Sequence, residues 1–170
     1  MIGETTARRR RAIAAAAAAV AVAVALASVA AAAPTGLVLV VEDVDTGERY
    51  VTQEVDDGST VALEYMHSVE QSRVYDEYRV DGRTLVNTRM EFESYGWGLP
   101  SGADVRTVDG TFVYEPAEPI AELDSLLVSP GRIAGHALLI DGRRYDLVAA
   151  TNASDVRIRI ERRSLTDLFT

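Results

Sequence analysis

The chain contains no cysteine. That absence excludes disulfides, thiolate metal ligands, a cysteine nucleophile and a lipid-modified N-terminal cysteine. Lysine is absent too: all 17 basic residues are arginine, set against 26 Asp and Glu for a net charge of −9. Histidine occurs only twice, at positions 67 and 136, and tryptophan once, at 97. Imidazole chemistry therefore has just two candidates. A domain of this size manages without disulfides because its core can be large enough.

The acidity is concentrated after the first segment. Residues 1–33 hold four Arg and one Glu, which leaves 13 Arg against 25 Asp and Glu in the remainder, a net of −12. Such a surface repels nucleic acid and anionic lipid headgroups, so no nucleic-acid partner is expected. Acidic, lysine-free, Ala- and Val-rich composition suggests a salt-loving organism with a GC-rich genome. An acidic face for a cationic ligand is the functional alternative, and a solvated surface explains the charge more simply.

Arg8 to Arg11 precede an uncharged run, Ala12 to Ala33, of 22 residues. At helical rise this run crosses a bilayer, with the arginines left in the cytoplasm. A cleaved signal peptide has the same layout. Cleavage after Ala32 obeys the small-x-small rule, whereas cleavage after Ala33 places Pro34 first. The Arg-Arg-Arg-Ala-Ile stretch also loosely fits a twin-arginine export signal, and a plain basic flank accounts for it as well. Residues 1–33 are thus expected to be a signal peptide or membrane anchor, and 34–170 a single domain outside the cytoplasm. The membrane is a partner if the leader is retained.

From Pro34 onward the pattern has period two. Leu37–Val44, Glu48–Val55, Thr60–His67, Val74–Val80 and Thr84–Phe92 read as strands rich in Val, Tyr, Thr and Leu. Asp-Gly occurs at 57–58, 81–82, 109–110 and 141–142, and suits the positive φ angles of tight hairpins. "VRTVDGTFVYE" and "HALLIDGRRYDLV" read as hairpins, with hairpins expected at Asp81-Gly82 and Asp141-Gly142. "VRIRIER" reads as a last strand with Val156, Ile158 and Ile160 inward. Pro116–Leu123 reads as a linker or one helical turn, and no substantial helix is expected after residue 34. The fold class is all-β, a small antiparallel sandwich or barrel preceded by one N-terminal hydrophobic helix. Val61, Leu63, Tyr65, Tyr78, Val80, Val86, Met90, Phe92, Leu138, Ile140, Ile158 and Ile160 are expected to share one core.

The stretch "EYMHSVEQSRVYDEY", residues 64–78, holds His67 with Glu70, Asp76 and Glu77 after it. If Ser68–Arg73 form a six-residue loop, His67 pairs with Val74, Tyr65 faces Asp76, Leu63 faces Tyr78 and Val61 faces Val80. His67 and Asp76 are then diagonal neighbours on the inward face. His136 shares its parity with Leu138 and Ile140. Each imidazole on an apolar face needs a hydrogen-bond partner, and tying a strand end to backbone or carboxylate is the simplest role. A Ser68–His67–Asp76 triad fails because adjacent strand residues point to opposite faces. Nothing in the spacing selects a zinc site, although two histidines with Asp76 or Glu70 supply enough ligands. "SYGWGLPSG" places Trp97 between Gly96 and Gly98, as a binding contact or a plug for the end of a sandwich. No Gly-Lys-Ser/Thr follows to make a phosphate loop.

"HSVE" at His67–Glu70, then "VYDEYRVDGR" and "GWGLP", resembles the domain-of-unknown-function family numbered 1850. The resemblance covers most of residues 37–162. Gly96-Trp97-Gly98 corresponds to a Gly-Ala-Gly segment of the family, and His136 to a later histidine at a strand start. Trp97 stands where alanine is expected and Arg73 where proline is expected. The resemblance implies a short N-terminal hydrophobic segment, a small β-rich domain and a gene neighbourhood of TRAP-type solute transporters of the TAXI subgroup. The implied role is a non-enzymatic accessory component in solute uptake. Its partner would be the transporter's membrane or solute-binding subunit. The ligand or interaction surface would comprise His67, Ser68, Glu70, Asp76, Gly96, Trp97, Gly98 and His136. No catalytic residue, metal or cofactor is assigned. A stand-alone small-ligand or metal-binding module is the alternative, and a hydrolase ranks last.

Overall fold

The computed structural model describes residues 36–95, 99–100 and 104–163. Five strands open the fold: β1(Gly36–Asp43), β2(Arg49–Val55), β3(Thr60–Met66), β4(Arg73–Asp81) and β5(Thr84–Phe92). They are followed by β6(Val105–Val108), β7(Thr111–Tyr114), β8(Ala121–Leu123), β9(Leu126–Val128), β10(Ala137–Ile140) and β11(Arg143–Asp146). A short helix, α1(Leu147–Thr151), precedes the last strand, β12(Val156–Arg163). One sheet runs β2-β1-β12-β9. The other runs β11-β10-β3-β4-β5-β7-β6, with β8 also paired to β5. The fold is all-β and antiparallel in its assigned pairs.

Both sheets turn apolar side chains onto one core. Leu39, Val41, Val156, Ile158 and Ile160 come from the first sheet, and Val61, Leu63, Tyr78, Val80, Leu85, Leu138 and Ile140 from the second. Alternation does this: in β12, Val156, Ile158 and Ile160 are buried while Arg157, Arg159 and Glu161 face away. On that outer side Arg159 grips Glu42 with two bonds, at 3.0 and 2.9 Å, and the Arg159 hydrogen bond holds the Glu42 carboxyl below its ordinary range.

The Asp-Gly turns form for the expected reason. Asp141 and Gly142 both have positive φ, 45° and 82°, between the paired Ile140 and Arg143. Asp109 and Gly110 do the same between Val108 and Thr111. At Asp81-Gly82 the turn residues are Gly82 and Arg83, since Asp81 pairs with Thr84. Asp57-Gly58 instead links the two sheets, because β2 and β3 belong to different ones.

Four expectations are corrected. The β3–β4 register is shifted by two residues: Tyr65 pairs with Val74, Leu63 with Asp76 and Val61 with Tyr78. The loop is shorter than six residues because the backbone of His67 donates to Ser72 O at 2.8 Å, leaving only Ser68–Gln71 between them. A shift of two keeps every side chain on its face, so the core assignments of β3 and β4 survive. In β5, Thr88 is an extra residue: Glu77 pairs with Arg89 and Tyr78 with Asn87. This bulge reverses parity, so Leu85 and not Val86 belongs to the main core. Phe92 is fully buried in an aromatic cluster with Tyr95 and Phe112, and Met90 is only half-buried. Finally, the Pro116–Leu123 segment ends in a strand, β8, which pairs with β5. The expected N-terminal helix lies outside the described residues, as do Gly96, Trp97 and Gly98.

Candidate functional site

The β3–β4 loop is closed by local chemistry. Gln71 N donates to His67 O at 2.8 Å, Gln71 itself adopts a positive φ of 49°, and Glu70 N donates to His67 Nδ1 at 3.3 Å. Glu70 thus contributes through its backbone, and its side chain is exposed. A second loop, Ser129–His136, packs against the same strand end: Ala134 O accepts from Met66 N at 2.8 Å. Within it Gly135 N donates to Gly131 O at 2.9 Å, with Gly135 at φ 61°. Gly131 N donates to His136 Nδ1 at 3.2 Å.

Between these loops lies an open cleft of about 490 Å³. His67, Ser68 and His136 line it together with Tyr65, Met66, Met90 and Ser129. A side recess of about 330 Å³ continues past Met66, His67 and Gln71 to Ile133. The fold therefore brings together two histidines 69 positions apart, because Leu63 on β3 pairs with Leu138 on β10. His136 stacks on Tyr65, ring centroids 5.1 Å apart and planes 12° from parallel. Burial pushes the His136 pKa down.

Asp76 does not pair with His67. Its Oδ2 accepts from Tyr65 Oη at 3.4 Å, and its Oδ1 has no hydrogen-bond partner among the described residues. The reason is the register: Asp76 sits opposite Leu63, inside the sheet, whereas His67 has already left β3 for the loop. Asp76 is 8% exposed, and burial pushes its carboxyl up to about 6, with the Tyr65 hydrogen bond pulling the other way. Burial and the Asp76 carboxylate both push the Tyr65 phenol up, and Tyr78 is raised to about 12 by burial first and Asp76 second. The inward face thus carries a polar row under the cleft, from Tyr65 to Asp76. The sequence reading missed Tyr65, Met90 and Ser129. The first two share the buried parity, which reads as core; only the loops' approach turns part of that face into a wall.

The outer face is charged. Glu64 bridges Arg73 at 2.9 Å and Arg144 at 2.7 Å, and Glu91 bridges Arg73 at 3.2 Å and Arg89 at 2.6 Å. Burial opposes ionisation of Glu64, and the two arginines outweigh it and hold its carboxyl low.

Chemically, the cleft offers hydrogen-bonding groups that can hold a ligand. Among the described residues neither imidazole donates Nδ1–H to a carboxylate, the arrangement that orients a general base. A metal-bound imidazole donates its second nitrogen's proton. Here each Nδ1 accepts instead, so the Nε2 of a neutral ring carries the proton and has no lone pair for a metal. Among the described residues no group of three or more His, Asp or Glu is placed to hold an ion.

Fold and site together define a small two-sheet β domain with a ligand-sized cleft at one end. A profile of the family described as domain of unknown function DUF1850 matches residues 61–147, just over half the chain, and the chain belongs to that family. The match runs from β3 to the start of α1 and includes His67, Ser68, Asp76 and His136. No curated protein and no solved structure matches the chain.

Proposed function

We propose that the chain is a non-enzymatic extracytoplasmic accessory component of a TRAP-type solute transporter of the TAXI subgroup. The uncharged segment 12–33 exports or anchors it, and the cleft of His67, Ser68 and His136 is its ligand surface. The observation that carries the ligand surface is the convergence of the chain's only two histidines on one cleft. Its volume, about 490 Å³, is within the range of small-molecule sites. The transporter association is supported by what the family resemblance implies.

Co-purification from native membranes in mild detergent is expected to enrich a transporter membrane or solute-binding subunit; its absence counts against the association. Uptake of candidate solutes is expected to fall when the protein is deleted, and to stay low with His67→Phe expressed at wild-type level. A stand-alone small-ligand module is the second reading, favoured by the same cleft. It predicts ligand binding by the isolated full chain and no enriched subunit.

A further inference from the structure

The polar groups of the cleft are unbalanced toward donation. Both Nδ1 atoms are taken by backbone N–H groups, which leaves Nε2–H as the donor on each neutral ring. Among the described residues neither Nε2 has a partner. Ser68 and Ser129 add two hydroxyls, and no Asp, Glu or Arg is among the described lining residues. The carboxylate next to this wall, Asp76, is buried, held by Tyr65, and does not line the cleft.

This set discriminates between ligand classes. A cation finds no carboxylate to neutralise it. A group rich in N–H or O–H donors finds, among the described lining side chains, only the hydroxyl oxygens of Ser68, Ser129 and Tyr65 as oxygen acceptors. An acceptor-only group matches the donors, and the carboxylate is the compact acceptor-only group with room for several of them. The other walls, Met66, Met90 and Leu99, are apolar, two of them polarizable and adaptable. We propose that the cleft binds a small organic acid, its carboxylate received by the two imidazole N–H groups and its apolar body lying against the methionines. This rests on the reading of the cleft as a ligand surface and names the ligand's chemistry. The negative charge of the whole molecule slows an anion's approach without changing the local donors.

The chain has two histidines and no others, so isotope-labelled histidine in the tag-free full chain reports on these two rings alone by NMR. Hexanoate is the probe and hexanamide its uncharged isostere. Hexanoate is expected to shift both Nε2 resonances saturably, and hexanamide is not. His136→Phe keeps an aromatic ring against Tyr65 and loses the N–H; it is expected to weaken hexanoate binding about tenfold or more, the usual loss of a hydrogen bond to a charged group. His136→Gln, with an N–H near the same place, is expected to recover part of that loss. Ser68→Ala, on an exposed loop, is expected to weaken binding severalfold and serves if the Phe variant does not fold. Equal responses to the two probes, a response from one ring only, or no response overturns the proposal. Loss of uptake in His67→Phe without any hexanoate response removes the carboxylate and keeps the cleft. A hexanoate response with uptake unchanged keeps the ligand class and removes the transport role.

Discussion

Asp76 is a carboxyl placed where an apolar residue would pack. It sits opposite Leu63 on one side and Met90 on the other, both on the inward parity. Its ordinary value is 3.8 and burial raises it to about 6, so between those values the folded chain binds more protons than the unfolded one. Its stabilising effect is therefore full below about pH 4 and is lost as pH rises through about 6, a change of roughly 3 kcal/mol at most. Urea unfolding at a series of pH values is expected to show this decline, and Asp76→Asn is expected to flatten it. His136 acts in the opposite sense: its lowered pKa contributes stability above the ordinary histidine range that fades as pH falls. Tyr65→Phe removes the hydroxyl that donates to Asp76. That variant is expected to raise the Asp76 pKa further and to cost about 1–3 kcal/mol at neutral pH, measured by the same unfolding series.

At the scale of elements, turns and one bulge decide the registers. Gly142, at φ 82°, stands in a conformation that costs a side-chain-bearing residue about 1–2 kcal/mol. Asp141 beside it holds Thr60 N at 2.8 Å and Ser59 Oγ at 2.9 Å, so this hairpin also pins the link between the sheets. Gly142→Val is expected to lower stability by about 1–2 kcal/mol or more, read as a lower thermal midpoint without change in the far-UV spectrum. The bulge at Thr88 lets both Leu85 and Phe92 point inward across one continuous strand. Deleting Thr88 removes the parity reversal and drives one of them outward. The expected result is loss of a cooperative unfolding transition.

For the whole molecule, strand pairing sets where the cleft lies. Leu37 pairs with Val55, and only residues 56–59 separate Val55 from Thr60. Gly36 therefore enters the domain at the Thr60 end of β3, and the cleft lies beyond Met66 at the other end, about 20 Å away at strand rise. Val44 N donates to Asp155 O at 3.0 Å, so β12 runs back antiparallel to β1 and ends near the entry point. The cleft end carries Ile133, 94% exposed. The chain lacks cysteine, so Ile133→Cys introduces a single reactive thiol. A membrane-impermeant maleimide is expected to label it on intact cells if the domain lies outside the cytoplasm; labelling only after lysis would contradict that location.

The sequence by itself determined the all-β class, the hairpins at Asp81-Gly82 and Asp141-Gly142, and the inward parity of β3, β4, β10 and β12. Period-two burial and positive-φ turn residues are local properties, readable from neighbours along the chain. The tertiary structure decided what depends on partners distant in sequence. It set the loop closure at Ser72, which separated His67 from Asp76, and the bulge at Thr88, which exchanged Val86 for Leu85. It also paired β10 with β3, and so brought His136 beside Tyr65 and His67. Local patterning fixes which way a side chain points; only the pairing of remote strands fixes what it points at.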